Sequence, residues 1–283
     1  KLNAVVGLKG TVVTKDGKDT LTRVGITCAL CHSTVDDSTM PGIGRRLDGW
    51  PNTTLNPGAI IALSPALDEA KKAVYKSWGA GKYDPRFNQD GKNGPVVIPP
   101  AFGLADVRQA TFTGDGDISY WNTYVAVTQM GGHGTFKEPR LKISVEAKGE
   151  DLVKPKLPAL KEYQHSLAKP APKPGSFDAE AARRGQALFS GPGKCASCHS
   201  GKAFTDEKLH APAETGMDAA YAERSATKKY RATPLRALWQ HPPYFHDGKA
   251  ANLAAVVEHY DGTLKLNLSA EQKKDLVEYL KSI

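Results

Sequence analysis

The chain has 283 residues, a formal charge of +8, 40% hydrophobic and 24% charged residues, and four cysteines. No apolar run approaches the ~20 residues of a membrane span, and the lysines are scattered rather than gathered with aromatics into a stripe, so neither a membrane span nor nucleic acid binding is expected. The length predicts two domains at about 150 residues each, and the basic balance suits the steering of an acidic partner.

Residues 1–27 carry short apolar alternations around Lys15-Asp16-Gly17-Lys18, which predicts a β-hairpin or an extended arm. Cys28-Ala29-Leu30-Cys31-His32 follows. It reads C-x-x-C-H, the attachment signature of a c-type haem. Two thiols at this spacing can each add to one haem vinyl group, and the adjoining histidine then lies beneath the iron as its proximal ligand. After a glycine-rich loop, Met40 to Trp50, Ser64 is expected to cap a helix with Pro65 at its first position and Leu67, Ala70, Val74 and Trp78 as its apolar stripe. Residues 79–116 predict long loops. Within them Asn88-Gln89-Asp90-Gly91 and Gly114-Asp115-Gly116-Asp117 lack the ligand spacing of calcium loops and read as solvated turns.

A second helix is predicted from Ile118 to Thr128, with Trp121, Tyr124, Val125 and Thr128 on one side, ended by Gly131-Gly132. A third runs from Leu157 to Leu167, with Leu160, Tyr163 and Leu167 inward. The proline-rich stretch from Lys169 to Gly175 reads as a linker and sets the expected domains at 1–170 and 171–283.

In the second half, Asp178 should cap a helix whose inner face is Ala181, Ala182, Gly185, Leu188 and Phe189. That helix leads into a second C-x-x-C-H, Cys195-Ala196-Ser197-Cys198-His199. The two motifs consume all four cysteines, and they lie too far apart for a zinc ribbon. Asn252 should cap a helix presenting Leu253, Val256, Val257 and Tyr260 on one face. Ser269 and Gln272 form a capping box for a last helix with Leu276, Val277, Tyr279 and Leu280 as its apolar face. Gly185 leaves room for that last helix to cross closely.

The crossing of the first and last helices in residues 178–283 resembles class I cytochrome c. Thr233-Pro234-Leu235-Arg236 and Pro243-Tyr244-Phe245-His246-Asp247-Gly248, placed after C-x-x-C-H, resemble the C-terminal domain of the bacterial di-haem cytochrome c peroxidase family, which includes the methylamine-utilisation enzyme. That resemblance implies that Arg236 and His246 contact haem propionates or support the pocket. Fourteen residues beyond the histidine the peroxidases place a distal methionine and the methylamine-type enzyme a tyrosine; here the residue is Tyr260. The first half lacks the family's N-terminal peroxidase motifs. Its distal candidates are Met130, between a helix and a glycine turn, then His133, Met40 or an open site.

The expectation is a mostly α-helical protein of two cytochrome c-like domains with two covalent haem c groups. The ligating residues are His32, His199, Met130 and Tyr260; Cys28, Cys31, Cys195 and Cys198 are the anchors, supported by Arg236 and His246. One-electron transfer is the expected function, with a peroxidase- or oxygenase-like enzyme acting on peroxide or oxygen as the alternative. Haem attachment of this kind, and a chain that begins at Lys1 as a mature or trimmed exported protein does, lead to the expectation of a periplasmic protein with an acidic redox partner protein.

Overall fold

The computed structural model describes residues 5–283. The chain divides into two compact units, Lys1–Tyr83 with Ile98–Phe102 and Asp84–Val97 with Gly103–Ile283. Helix is the main regular structure, and the described strands form only two-stranded sheets. The proline-rich stretch 169–175 lies inside the second unit.

In the first unit, Leu8–Lys15 and Lys18–Ile26 pair antiparallel, with a register shift at Thr11/Val12. Asp16 and Gly17 both take positive φ (52° and 70°), the mirror-image turn whose twist matches that of its strands. The hairpin buries almost nothing: Val12, Val13, Leu21 and Val24 are all exposed. Its base is pinned where Thr27 N–H donates to Gly7 O (2.8 Å). The first cysteine motif turns through a short helix, Ala29–His32, into the strand Ser33–Val35, which pairs with Arg46–Asp48.

The helix expected from Pro65 starts later. It runs Glu69–Lys76 and is capped by Asp68, whose carboxylate accepts from Lys71 N–H (2.7 Å). Ser64 Oγ instead accepts from Ala66 N–H (3.3 Å), closing a local turn. A carboxylate at the cap with Glu69 in the first turn is favoured by the helix dipole over the earlier serine. A helix that the sequence reading omitted, Pro57–Ile61, is capped by Asn56 with proline at its start.

In the second unit the helix Ile118–Thr128 forms as expected, but its buried face is Trp121, Tyr124 and Val127 rather than Val125 and Thr128. The helix Leu157–Ser166 turns Tyr163 outward (46% exposed) and buries Gln164. The reason is polar: Asn122 Nδ2 donates to Gln164 Oε1 (2.7 Å) and Gln164 Nε2 returns a bond to Asn122 Oδ1 (3.3 Å), so burying Gln164 leaves neither amide unmatched.

The C-terminal part follows the pattern. Asp178 caps Ala179–Ser190 through Glu180 and Ala181 N–H, and Ser269 with Gln272 caps Ala270–Ser282 as a capping box. The two helices cross at Gly185, where a Cβ would sit 2.0 Å from Asp275 O. Phe189 meets Tyr279 edge-on at 5.2 Å, and these helices share a core with Leu238, Tyr244, Leu253, Val257, Leu276 and Leu280.

Candidate haem sites

The first motif is held from its carbonyl side. Asn52 N–H donates to Cys31 O (2.9 Å), Asn52 Nδ2 to Leu30 O (3.2 Å) and Gly49 N–H to His32 O (2.8 Å). His32 Nδ1 lies 3.1 Å from Pro99 O. A carbonyl only accepts, so Nδ1 carries the proton and Nε2 keeps its lone pair. Burial pushes the imidazole's pKa down, which keeps it neutral, as an iron ligand must be.

The second motif repeats this arrangement from nearby chain. Lys194 takes positive φ (54°) into the short turn Cys195–Ser197, and His199 N–H donates to Cys195 O (2.8 Å). His199 Nδ1 meets Phe204 O at 3.1 Å, which again frees Nε2; burial lowers this imidazole's pKa too. None of the four cysteines is in a disulfide. Burial pushes the Cys31 and Cys195 thiols up to about 11.

Cys195 and Ala196 pack against the C-terminal core together with Phe245 and Val256. Tyr260, on the helix Leu253–Leu264 capped by Asn252, faces the same motif. Its phenol is pushed up to about 12, by burial first and then by the neighbouring Cys195 and Cys198. His259 points away, with Nε2 2.9 Å from Thr215 O.

Arg236 is buried, donates to Gly103 O, and leaves its Nε without a partner. Arg231, which the sequence reading missed, repeats this: it donates to Gln109 O and its Nε is also orphaned. Neither pairs with a carboxylate among the described residues. Burial drives Arg231 down to about 9, with the charge of Arg236 adding to the effect, and Arg236 down to about 10. Two desolvated guanidiniums with unused donors require an anion, and haem carries two propionates. The chain therefore fits the group: His199 would be its proximal ligand, Cys195 and Cys198 its anchors, and Arg231 and Arg236 would meet its carboxylates, with Tyr260 beside the motif. The only sequence signal for Arg231 was its place five residues before Arg236.

His246 is buried against aromatic rings, with Nε2 3.2 Å from Tyr230 Oη. Met130 is half-buried at the end of its helix, where its N–H donates to Val125 O (3.0 Å). His133 is exposed and its Nε2 meets Lys148 O at 3.1 Å; Met40 is 54% exposed.

The two acidic turns differ: Asn88-Gln89-Asp90-Gly91 is exposed, as expected, whereas Gly114 and Asp115 are buried, contrary to expectation. Asp115 pairs with Arg86 with both side chains buried, and Arg224 bridges buried Asp84 (3.0 Å) and Asp90 (2.7 Å). The acids that faintly resembled calcium ligands serve as counter-ions to buried arginines.

Residues 182–283 match the family model for cytochrome c. This part of the chain is a cytochrome c domain. The chain is 36% identical over 123 residues to the methylamine utilization protein MauG of Methylorubrum extorquens, a match covering 36% of this chain and 34% of that protein. It is 26% identical over 148 residues to the cytochrome-c peroxidase IdrP1 of a Pseudomonas species, covering 36% and 39% of the two chains. The matches thus span little more than a third of the length of these relatives. A MauG-like protein associated with microbial copper homeostasis aligns with a TM-score of 0.45 at 19% identity, over 69% of this chain and 75% of that one. The resemblance to the di-haem peroxidase and MauG family therefore holds, and it supports a haem redox function. Among the described residues no helix is long and apolar enough to cross a membrane.

Proposed function

We propose that the chain is a periplasmic di-haem c-type cytochrome that passes single electrons through two covalent haems, one in each half of the chain on either side of residue 170. The observation that carries this reading is the shared state of His32 and His199: each follows a C-x-x-C pair, and each has Nδ1 3.1 Å from a backbone carbonyl. When bound, the haem supplies a one-electron couple, and the protein tunes it through ligands, burial and nearby charge. Met130 is the proposed distal ligand of the first haem and Tyr260 that of the second. A basic chain suits an acidic redox partner. Intact mass under denaturing conditions should exceed the polypeptide by two haems; bound zinc or free thiols at the four cysteines would sink the reading.

A second reading, in which one iron is open or weakly ligated and reacts with peroxide, is favoured by the relatives, which are named for methylamine utilization and for cytochrome c peroxidase. EPR of the ferric protein separates the two. Two low-spin signals belong to a carrier, and one high-spin signal to the enzyme.

A further inference from the structure

Tyr230 and His246 form a buried pair that haem attachment does not require. Tyr230 is held by the short pairing of Tyr230–Arg231 with Leu209–His210 and packs with Val96, Tyr221 and Ala222. Tyr230 is 6% exposed and His246 7%. The phenol O–H donates to Asp218 O at 2.7 Å, and His246 Nε2 stands 3.2 Å from the same oxygen. One proton thus has two acceptors within reach. A carbonyl cannot take it; an imidazole can. Tyr221 stacks on the imidazole at 5.6 Å and Phe112 meets it edge-on at 6.4 Å, so the pair is walled by rings. The charges that reach the imidazole are Asp247, Lys249 and Asp218, while Arg86 and Arg224 lie over Tyr221.

A phenol shut away from water does not ionise readily, and burial raises the pKa of Tyr230. Such a phenol gives up an electron easily only when its proton leaves in the same event for a base already in place. His246 meets that need, because burial keeps its imidazole neutral. The pair also borders the haem-binding residues. Arg231 follows Tyr230 directly. Phe245 precedes His246, and its ring meets Tyr260 edge-on at 6.0 Å.

We propose that Tyr230 is a redox-active tyrosine, with His246 as its proton acceptor, that donates an electron to the peroxide-oxidised haem centre. This rests on the second functional reading. The phenol O–H bond breaks, the proton passes to Nε2 of His246, and the electron passes to the haem centre, leaving a neutral tyrosyl radical beside an imidazolium. Peroxide takes two electrons and two solvent protons and leaves as two waters; Tyr230 supplies one of those electrons and haem iron the other. Two electrons from an external one-electron donor then reduce the radical and replace the one lost by the haem centre, and the imidazolium returns its proton to the phenol oxygen.

The test mixes the ferric holoprotein with hydrogen peroxide, freezes it, and records EPR and optical spectra on protein with ordinary or ring-deuterated tyrosine. The wild type should give a radical that narrows on deuteration. Tyr230→Phe keeps the ring and should lose that radical while retaining its ferric haem spectrum and thermal unfolding. His246→Gln can accept a hydrogen bond but not a proton, and should lower the radical yield about tenfold or more. Tyr221→Phe should keep the signal. A radical that survives Tyr230→Phe, or a haem spectrum changed by peroxide with no tyrosyl signal, overturns the proposal alone. A yield unchanged in His246→Gln removes the histidine from it. A haem indifferent to peroxide overturns the enzyme reading and this proposal together.

Discussion

The two C-x-x-C-H segments satisfy the same chemical requirement with opposite architectures. The first is reached by a strand, Lys18–Ile26, and its histidine finds an acceptor 67 residues away at Pro99. The second is reached by a helix, Ala179–Ser190, and its histidine finds one five residues on, at Phe204. In both, burial lowers the imidazole's pKa and Nδ1 meets a backbone carbonyl. The state of the ligand is therefore what the chain preserves, and the surrounding scaffold is replaceable. The cost differs too. The second motif sits in a packed helical core, whereas the first follows a hairpin whose apolar side chains remain exposed.

The largest effect should come from the anchors themselves. Changing Cys195 and Cys198 to alanine should remove one haem from the intact mass, and changing Cys28 and Cys31 should remove the other. The first change should also collapse the C-terminal core, since Cys195 packs into it. Two haems retained in either double variant would mean that these motifs do not attach them.

Close backbone approach gives the next prediction. Gly185→Val places carbon where Asp275 O already stands, 2.0 Å from a Cβ, between two long helices that cannot part without losing their core. A cost on the order of 3 kcal/mol is expected, a fall in Tm of roughly 6–12 °C. Gly7→Ala is the counterpart at the first motif. Its Cβ would meet Leu30 N at 2.2 Å, and its φ is +83°. Because the hairpin buries little, Gly7→Ala should disturb the haem spectrum more than it lowers Tm. Equal Tm losses would erase the contrast between the scaffolds.

That contrast also explains what the sequence made legible. Helices with a side-chain cap and one apolar face were readable: Asp178, Asn252 and Ser269 each cap where expected, and Gly185 marks the crossing. The hairpin was readable from Asp16-Gly17. Long-range polar partners were not. Gln164 displaces Tyr163 from the interior because Asn122 waits for it, and Asp84 and Asp115 are buried with arginines distant in sequence. Nothing local distinguishes Arg231 from a surface arginine; only its orphaned, desolvated Nε does.

Charge at the second site should move its potential. Tyr260→Phe removes a phenol that, if ionised on binding iron, stabilises the ferric state; the potential of one haem should rise and a coordination position should open to cyanide. Arg231→Leu takes away a positive charge beside the proposed propionate site, so the same haem should become harder to reduce. Redox titration reads both, and the first haem should stay near its wild-type potential. Unchanged potentials in Tyr260→Phe would leave it a packing residue.

The smallest effect concerns acid. Arg184 donates Nε and Nη2 to Asp275 at 2.8 and 2.7 Å, a fork that ties the two crossing helices, and this guanidinium holds the Asp275 carboxyl below the usual carboxylate range. An unfolded aspartate titrates at about 3.9. Because the folded value is lower, the pair's contribution is complete above that pH and is lost as pH falls through the folded value. Arg184→Gln should therefore lower Tm at neutral pH, with the difference from wild type closing below pH ~4. Arg184 is 56% exposed, so added salt should narrow the gap as well. The comparison at the first unit is Arg45 with Asp36, where the arginine is 85% exposed and the pair closes only a loop; Arg45→Gln should barely move Tm at any pH. If the Arg184→Gln difference is instead constant from neutral to acid pH, the residue acts through the packing of its stem and the ionic clamp is not what joins the helices around the second motif.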